Sequence, residues 1–279
     1  RWMNQIGLHP WNKEFNWIDA ASRSGFLTDE QISSYNTDGY LVAENIISED
    51  TLTTLTDELD RLSEETDAFL QTLDHDRLSI AESGAIIFGI HPCMRYEEAR
   101  KFVSITPFPE ITHDLIGPDV RLYWDQIVYK QTEKPRRFPW HQDNGYGFVE
   151  PQQYLTCWVP LVNVTIENGC PWIIPNVHKE GTLAHTYIEP LGYECFSEHP
   201  DAIPVEAEAG SVVIFSSLTP HMTGPNLTEE TRKAYIIQYA PDGSNLLKGN
   251  PEIGEPENRE PASDPNRQFL ILKNGQQLV

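Results

Sequence analysis

From about residue 84 onward the chain is a succession of short β-branched and aromatic runs, and this feature limits the fold more than any other. Residues 85–90, 120–130, 154–162, 170–174, 211–215 and 233–239 form these runs, and Gly, Pro and Asn separate them. Such side chains suit a pleated, half-buried surface, and the separating residues suit turns, so the pattern predicts an antiparallel all-β core. The opening stretch differs. Thr28-Asp29-Glu30-Gln31 is a capping-box pattern, with Thr28 as N-cap and Gln31 reaching back. Ser48-Glu49-Asp50 opens a second helix with acids at its positive end. Leu52, Leu55, Leu59 and Leu62 then recur at helical spacing and predict one packed face. Gly39 to Val42 reads as a short strand between the two helices.

At 279 residues the chain has room for two domains or one large β-domain. No internal repeat and no clean linker divides it, so the expectation is a single domain. It comprises helical support over about 26–83, a β-core over about 84–240, and a C-terminal loop and strand over 241–279. The 241–265 stretch is rich in Pro, Gly and acid and reads as an ordered loop or lid, or else as partly disordered. Residues 269–272 and the turn Asn274-Gly275 suggest a last strand.

Charge narrows the partners. Lys+Arg 20 against Asp+Glu 42 leaves a net charge of −22, which repels phosphate backbones and anionic lipid and otherwise serves solubility. Nucleic acid and membrane surfaces are therefore not expected as partners, and no apolar run is long enough for a membrane span. Residues 1–11 show no apolar signal-peptide core, and the sequence does not begin with Met, which leaves the true N-terminus open. Cys93, Cys157, Cys170 and Cys195 form no C-x-x-C pair and are too sparse for a disulfide scaffold. They read as reduced thiols in a cytoplasmic protein. Oligomeric state is not legible.

Nine histidines offer candidate metal-ligand spacings. His-x-Asp/Glu occurs three times, against about 1.4 from chance pairing of nine histidines with 42 acids, so context must choose. In a strand, residues i and i+2 share a face, and a His and a carboxylate so placed can chelate one ion. His199-Pro200-Asp201 lies in an acidic, Pro-flanked loop, and His178-Lys179-Glu180 in a turn before Gly181. His141-Gln142-Asp143 lies between two predicted strands, where a barrel mouth would be. His221, ending an apolar strand just past Pro220, is the candidate third ligand. Two His and one carboxylate on one face of an ion suit non-haem Fe(II) and leave positions open. The alternative is that His221 is a surface histidine in a turn. Arg232, eleven residues beyond His221, begins the next apolar strand; a guanidinium there requires an anion, such as one end of a small dicarboxylate. Thr223 could add a hydroxyl. The alternative for Arg232 is a surface ion pair with Glu229 or Glu230.

Taken together, Phe138 to Tyr146 (FPWHQDNGY), Glu167 to Gly181 (ENGCPWIIPNVHKEG), and His221 with Arg232 resemble the phytanoyl-CoA dioxygenase family. Leu27 to Gln31, Gly39 to Val42 and Asn266 to Leu272 resemble that family's opening segment and last strand. The resemblance implies a mainly β, double-stranded β-helix (jelly-roll, cupin-like) fold. It implies an Fe(II)- and 2-oxoglutarate-dependent oxygenase using O2, with His141, Asp143 and His221 as iron ligands. It further implies Arg232 and Thr223 as anchors of 2-oxoglutarate, Trp158 as a wall of that pocket, and Gln126 and Tyr129 as further contacts. Asp143 stands where a halogenase would need room for a halide, which favours hydroxylation. Where the family often has Pro-Gly-Ser-His, this chain has Pro175-Asn-Val-His178.

The expected reaction is oxidation of a C–H bond of a small metabolite or natural product, with release of succinate and CO2. Hydroxylation, desaturation, epoxidation and ring formation stay open. Candidate substrate liners are Phe138, Tyr146, Phe148 and Trp172, with residues 84–110 as a partial lid. Arg136 and Arg137 could attract an anionic substrate or form surface ion pairs. A second reading is a cupin-like metal-binding or zinc hydrolytic protein with the same three ligands, which gives Arg232 nothing to do. A third is a catalytically silent binding module, which gives no reason to keep all four residues.

Overall fold

The computed structural model describes residues 6–132 and 138–278. The fold is mainly β, with helices α1 (Asp29–Asp38), α2 (Glu49–Leu70), α3 (Glu97–Phe102) and α4 (Phe108–Ile116). The strands that build the site are β1 (Tyr40–Ala43), β2 (Ile86–Ile90), β3 (Val120–Lys130), β4 (Leu155–Pro160), β5 (Pro171–Ile173), β6 (Val212–Ser216), β7 (His221–Thr223), β8 (Arg232–Pro241) and β9 (Leu270–Lys273). The larger sheet runs β1-β6-β4-β8-β3-β2, and β9 also pairs with β3. A small sheet centred on β5, flanked by β7 and residues 203–204, lies across from it. This two-sheet jelly roll is the double-stranded β-helix expected.

The larger sheet is buried on both faces, so its strands read as unbroken apolar runs rather than alternating ones. Its outer face carries Ile127, Tyr129, Cys157, Val159, Ile214, Tyr235 and Ile237, packed under the α2 stripe of Leu52, Leu55, Leu59 and Leu62. Each such leucine contributes about 1.5–3 kcal/mol of burial free energy. The inner face carries Val128, Trp158, Val213, Phe215 and Ile236, turned toward β5.

The helix starts behave as the sequence expects. Thr28 accepts a hydrogen bond from the Gln31 amide, and Gln31 Oε1 accepts one from the Thr28 amide. Ser48 caps α2 through the Thr51 amide. Gly39 ends α1 at φ 85°, and a Cβ there would collide with Thr219 and His178. Only glycine tolerates both conditions.

Two expectations change. Residues 84–110 are not a lid: Phe88 faces the cavity, but α3 and the start of α4 pack Phe102 and Phe108 against Tyr235 and Tyr239 on the outer face. The 241–265 stretch holds strands Asn245–Lys248 and Asn258–Pro261, which pair with each other, and Asn245–Lys248 also pairs with Val149–Glu150. Among the described residues no helix is long and apolar enough to cross a membrane.

Candidate metal centre and its cavity

His141, Asp143 and His221 converge. One ligand atom from each lies within 4.8 Å of the others, and no other such group of His, Cys, Asp or Glu occurs among the described residues. The convergence is built by backbone. His141 and His221 exchange amide-to-carbonyl hydrogen bonds of 3.1 and 2.9 Å, which fixes the two rings side by side at 4.3 Å. His141 Nδ1 donates to the Pro139 carbonyl and His221 Nδ1 to the Thr219 carbonyl. Both Nε2 atoms therefore face the shared space, the side from which a metal would be bound. Asp143 Oδ1 lies 3.4 Å from His221 Nε2 and 3.8 Å from His141 Nε2. Its other oxygen, Oδ2, accepts a hydrogen bond from the Thr156 hydroxyl.

The residue between the ligands is a bolt. Gln142 turns inward, donates to the Gly181 and Leu218 carbonyls and accepts from the Leu183 amide. His185 Nε2 accepts from the Gln142 amide, while Asn144 joins Thr182 to the Val149 amide. Burial pushes the His141 imidazole down to about 3, aided by the neighbouring His221. Burial alone would raise the Asp143 carboxyl, but His221 and the hydrogen bonds outweigh it and hold it at about 2. A neutral imidazole beside an ionised carboxylate is ligand chemistry. This N2O donor set, open on one side, fits iron(II).

A cavity of about 540 Å³ opens onto the triad. Strand pairing supplies its depth scale. Lys130 pairs with Arg232, Val128 with Ala234, Gln126 with Ile236 and Trp124 with Gln238. At one end lies Arg232, with no exposed surface, its guanidinium 5.2 Å from the Trp158 ring. It donates to the Gly169 and Val128 carbonyls. It is a buried group, not a surface one. Beside it Lys130 Nζ donates to the Gly224 carbonyl and sits 3.3 Å from the Phe138 ring. Thr223 and Trp158 line the same end, and Gln126 lines the middle, its Oε1 accepting from the Trp124 indole.

Not every expected residue reaches the cavity. Tyr129 points from the opposite face of β3 and donates to Asp60 of α2, so it cannot touch a co-substrate here. Phe148 packs with Trp11 and Leu247, and Trp172 packs with Ile174 and Met222; neither lines the cavity. Phe138 and Tyr146 do line it. Arg136 and Arg137 lie outside the described residues. Of the weaker spacings, His178 is buried and bonds the Asn36 carbonyl, and His199 lies 4.0 Å from an exposed Asp201. Sequence reasoning missed Lys130, Trp124, Thr156, Gln238, Tyr123, Tyr154 and Leu191. Lys130 and Trp124 share strand parity with Gln126, and Thr156 with Trp158, so the register turns all three to the cavity, but the unbroken runs hide that parity in the sequence.

Buried cations at one end, a His/Asp/His triad, and a largely apolar cavity on a jelly roll define the class of iron- and 2-oxoglutarate-dependent oxygenases. The phytanoyl-CoA dioxygenase (PhyH) family model matches residues 35–234. The chain belongs to that family. The phytanoyl-CoA dioxygenase of Arabidopsis thaliana is 23% identical over 271 residues, covering 81% of this chain and 94% of the relative. In fold, the chain is similar to SnoN, a non-heme epimerase solved with Fe3+, alpha ketoglutarate and a nogalamycin compound: TM-score 0.68, 19% identity, covering 87% of this chain and 98% of SnoN. It is also similar to SnoK, a carbocyclase from nogalamycin biosynthesis: TM-score 0.65, 19% identity, covering 90% and 98%.

Proposed function

We propose that the protein oxidises a C–H bond of a small metabolite or natural product, coupled to conversion of 2-oxoglutarate and O2 to succinate and CO2. The observation that carries this reading is the pairing of a three-ligand centre with a buried guanidinium in the same cavity. An iron(II) ion held by His141, Asp143 and His221 would supply the oxygen chemistry. The chain's own residues orient and exclude. Arg232, with Thr223 beside it, grips the far carboxylate of 2-oxoglutarate by charge-assisted hydrogen bonds. Trp158, 5.2 Å from that guanidinium, would wall the carboxylate, and Gln126, steadied by Trp124, lines the same cavity and would help to orient the co-substrate. Tyr146, 5.1 Å from the His141 ring, stands between the metal side and the hairpin of residues 186–194, whose Leu191 closes the mouth.

A zinc hydrolase would use the three ligands but would have no reason to bury Arg232. The nogalamycin enzymes share the fold and support a natural-product substrate, and the whole chain works as one domain. None of the four cysteines is disulfide-bonded, which supports a reducing, cytoplasmic location. The test is succinate formation from 2-oxoglutarate with Fe(II), ascorbate and air. His141→Ala should abolish it, and Arg232→Leu should raise the 2-oxoglutarate requirement at least ten-fold. If Arg232→Leu leaves that requirement unchanged, the anchor role is wrong.

A further inference from the structure

β3 and β8 stay in register over their whole length except at one point. Trp124 pairs with Gln238 and Leu122 with Tyr239, so Tyr123 is an extra residue, a β-bulge. Regular alternation would send Tyr123 outward with Asp125, Ile127 and Tyr129. Instead Leu122 returns to the outer core, while Tyr123 and Trp124, consecutive in sequence, both line the cavity. Bulges beside active sites re-aim side chains in this way.

The two rings are held firmly. Tyr123 meets Tyr154 edge to face at 5.3 Å. Trp124 meets His91 edge to face at 4.3 Å, has the Arg267 guanidinium 5.9 Å from its ring, and donates its indole N–H to Gln126. Tyr146, Leu191 and Leu246 complete the walls. The charged lining residues lie elsewhere: Lys130 is six residues along β3 from Trp124, roughly 20 Å at strand rise. Among the described residues the cavity's charged side chains are Asp143 at the metal and Lys130 and Arg232 at the co-substrate end. The hydroxyls of Tyr123 and Tyr154 bond no described residue, and burial holds the Tyr123 phenol up at about 12, so both stay neutral donors facing the chamber.

We propose that the Tyr123 bulge forms the substrate seat, and that the seat takes a flat, uncharged, ring-bearing molecule gripped between aromatic faces and a phenol hydroxyl. Among the described residues no cation lines this wall, since Arg267 is outside the lining and paired with Asp264, so the phosphates of a coenzyme A thioester would go unpaired there, and burying such charge is costly. This inference rests on the oxygenase reading and refines its substrate.

The experiment is anaerobic calorimetry on the Fe(II)- and 2-oxoglutarate-loaded protein with three probes: 2-naphthol, naphthalene-2-sulfonate and decanoyl-CoA. 2-Naphthol should bind at least ten-fold more tightly than either anion. Tyr123→Leu should weaken 2-naphthol about ten-fold and leave 2-oxoglutarate affinity within two-fold. If the variant loses 2-oxoglutarate binding too, as a misfolded chain would, Tyr123→Phe decides: loss of the donor alone should weaken 2-naphthol about three-fold. Absent 2-naphthol binding, equal or tighter binding of an anion, or unchanged affinity in the deciding variant overturns the seat. Failure of the wild-type protein to bind 2-oxoglutarate at all would instead overturn the oxygenase reading beneath it.

Discussion

Asp143 divides its two oxygens between two tasks. Oδ1 faces the imidazole nitrogens, while Oδ2 takes the Thr156 hydroxyl, which in turn lies 3.4 Å from the Gln238 amide nitrogen. The order of donation is fixed: amide N–H to hydroxyl oxygen, hydroxyl proton to carboxylate. Thr156 therefore positions the carboxylate for one-oxygen ligation without touching the metal. Outer partners of ligands are worth 10–100-fold in metal affinity. Thr156→Val, which keeps the shape and loses the hydroxyl, should weaken Mn(II) binding by about ten-fold or more, and Thr156→Ser should restore it. Equal Mn(II) affinity in the valine variant, measured by calorimetry, would remove Thr156 from this role. The ligand residues themselves were legible because His-x-Asp between strands, a distant His and an Arg eleven residues on form a spaced set. Tyr129 was misplaced because its apolar run shows no parity: both faces of β3 are buried, and only the register with β8 reveals which residues look inward.

Elements were read best where local chemistry is strong. Thr28 and Ser48 mark their helices, and the α2 leucines mark the face that covers the sheet. Helices α3 and α4, of six and nine residues, are too short for a periodic signal to rise above the β pattern around them. The Tyr123 bulge was invisible because an extra residue leaves no mark on composition. The hairpin of residues 186–194 was missed because its strands are only three residues each and mostly half-buried or exposed, without alternation; Gly192, at φ 110°, suits the left-handed backbone there. A consequence for α2 follows from its position on the outer face. Leu59, with no exposed surface, supports the sheet from the side away from the cavity. Leu59→Ala should cost about 3 kcal/mol of stability, read as a lower denaturant midpoint, with 2-oxoglutarate affinity unchanged below the transition. A stability loss under about 1 kcal/mol would mean that α2 does not rest on this residue as described.

Across the whole molecule, the N-terminal helix and the jelly roll are joined at one buried histidine. His178, in the turn after β5, donates from Nε2 to the Asn36 carbonyl of α1, 142 residues away, and packs edge to face on Trp17 at 4.5 Å. Its Nδ1 is buried and has no hydrogen-bond partner among the described residues, in the space that Gly39 leaves open. A second proton on that ring would have to sit there, so burial pushes the His178 imidazole down to about 4. In the unfolded chain the same group titrates near its ordinary 6.5. Between these values the unfolded state binds the extra proton, so stability must fall as pH drops from about 6.5 to about 4 and level off below. The full span is worth up to about 3 kcal/mol. His178→Gln keeps an N–H for the Asn36 carbonyl and cannot titrate. Thermal melts over this window should therefore show a shallower decline for the variant than for the parent. Parallel curves would mean that the proton uptake belongs to other groups and that this junction is indifferent to acid.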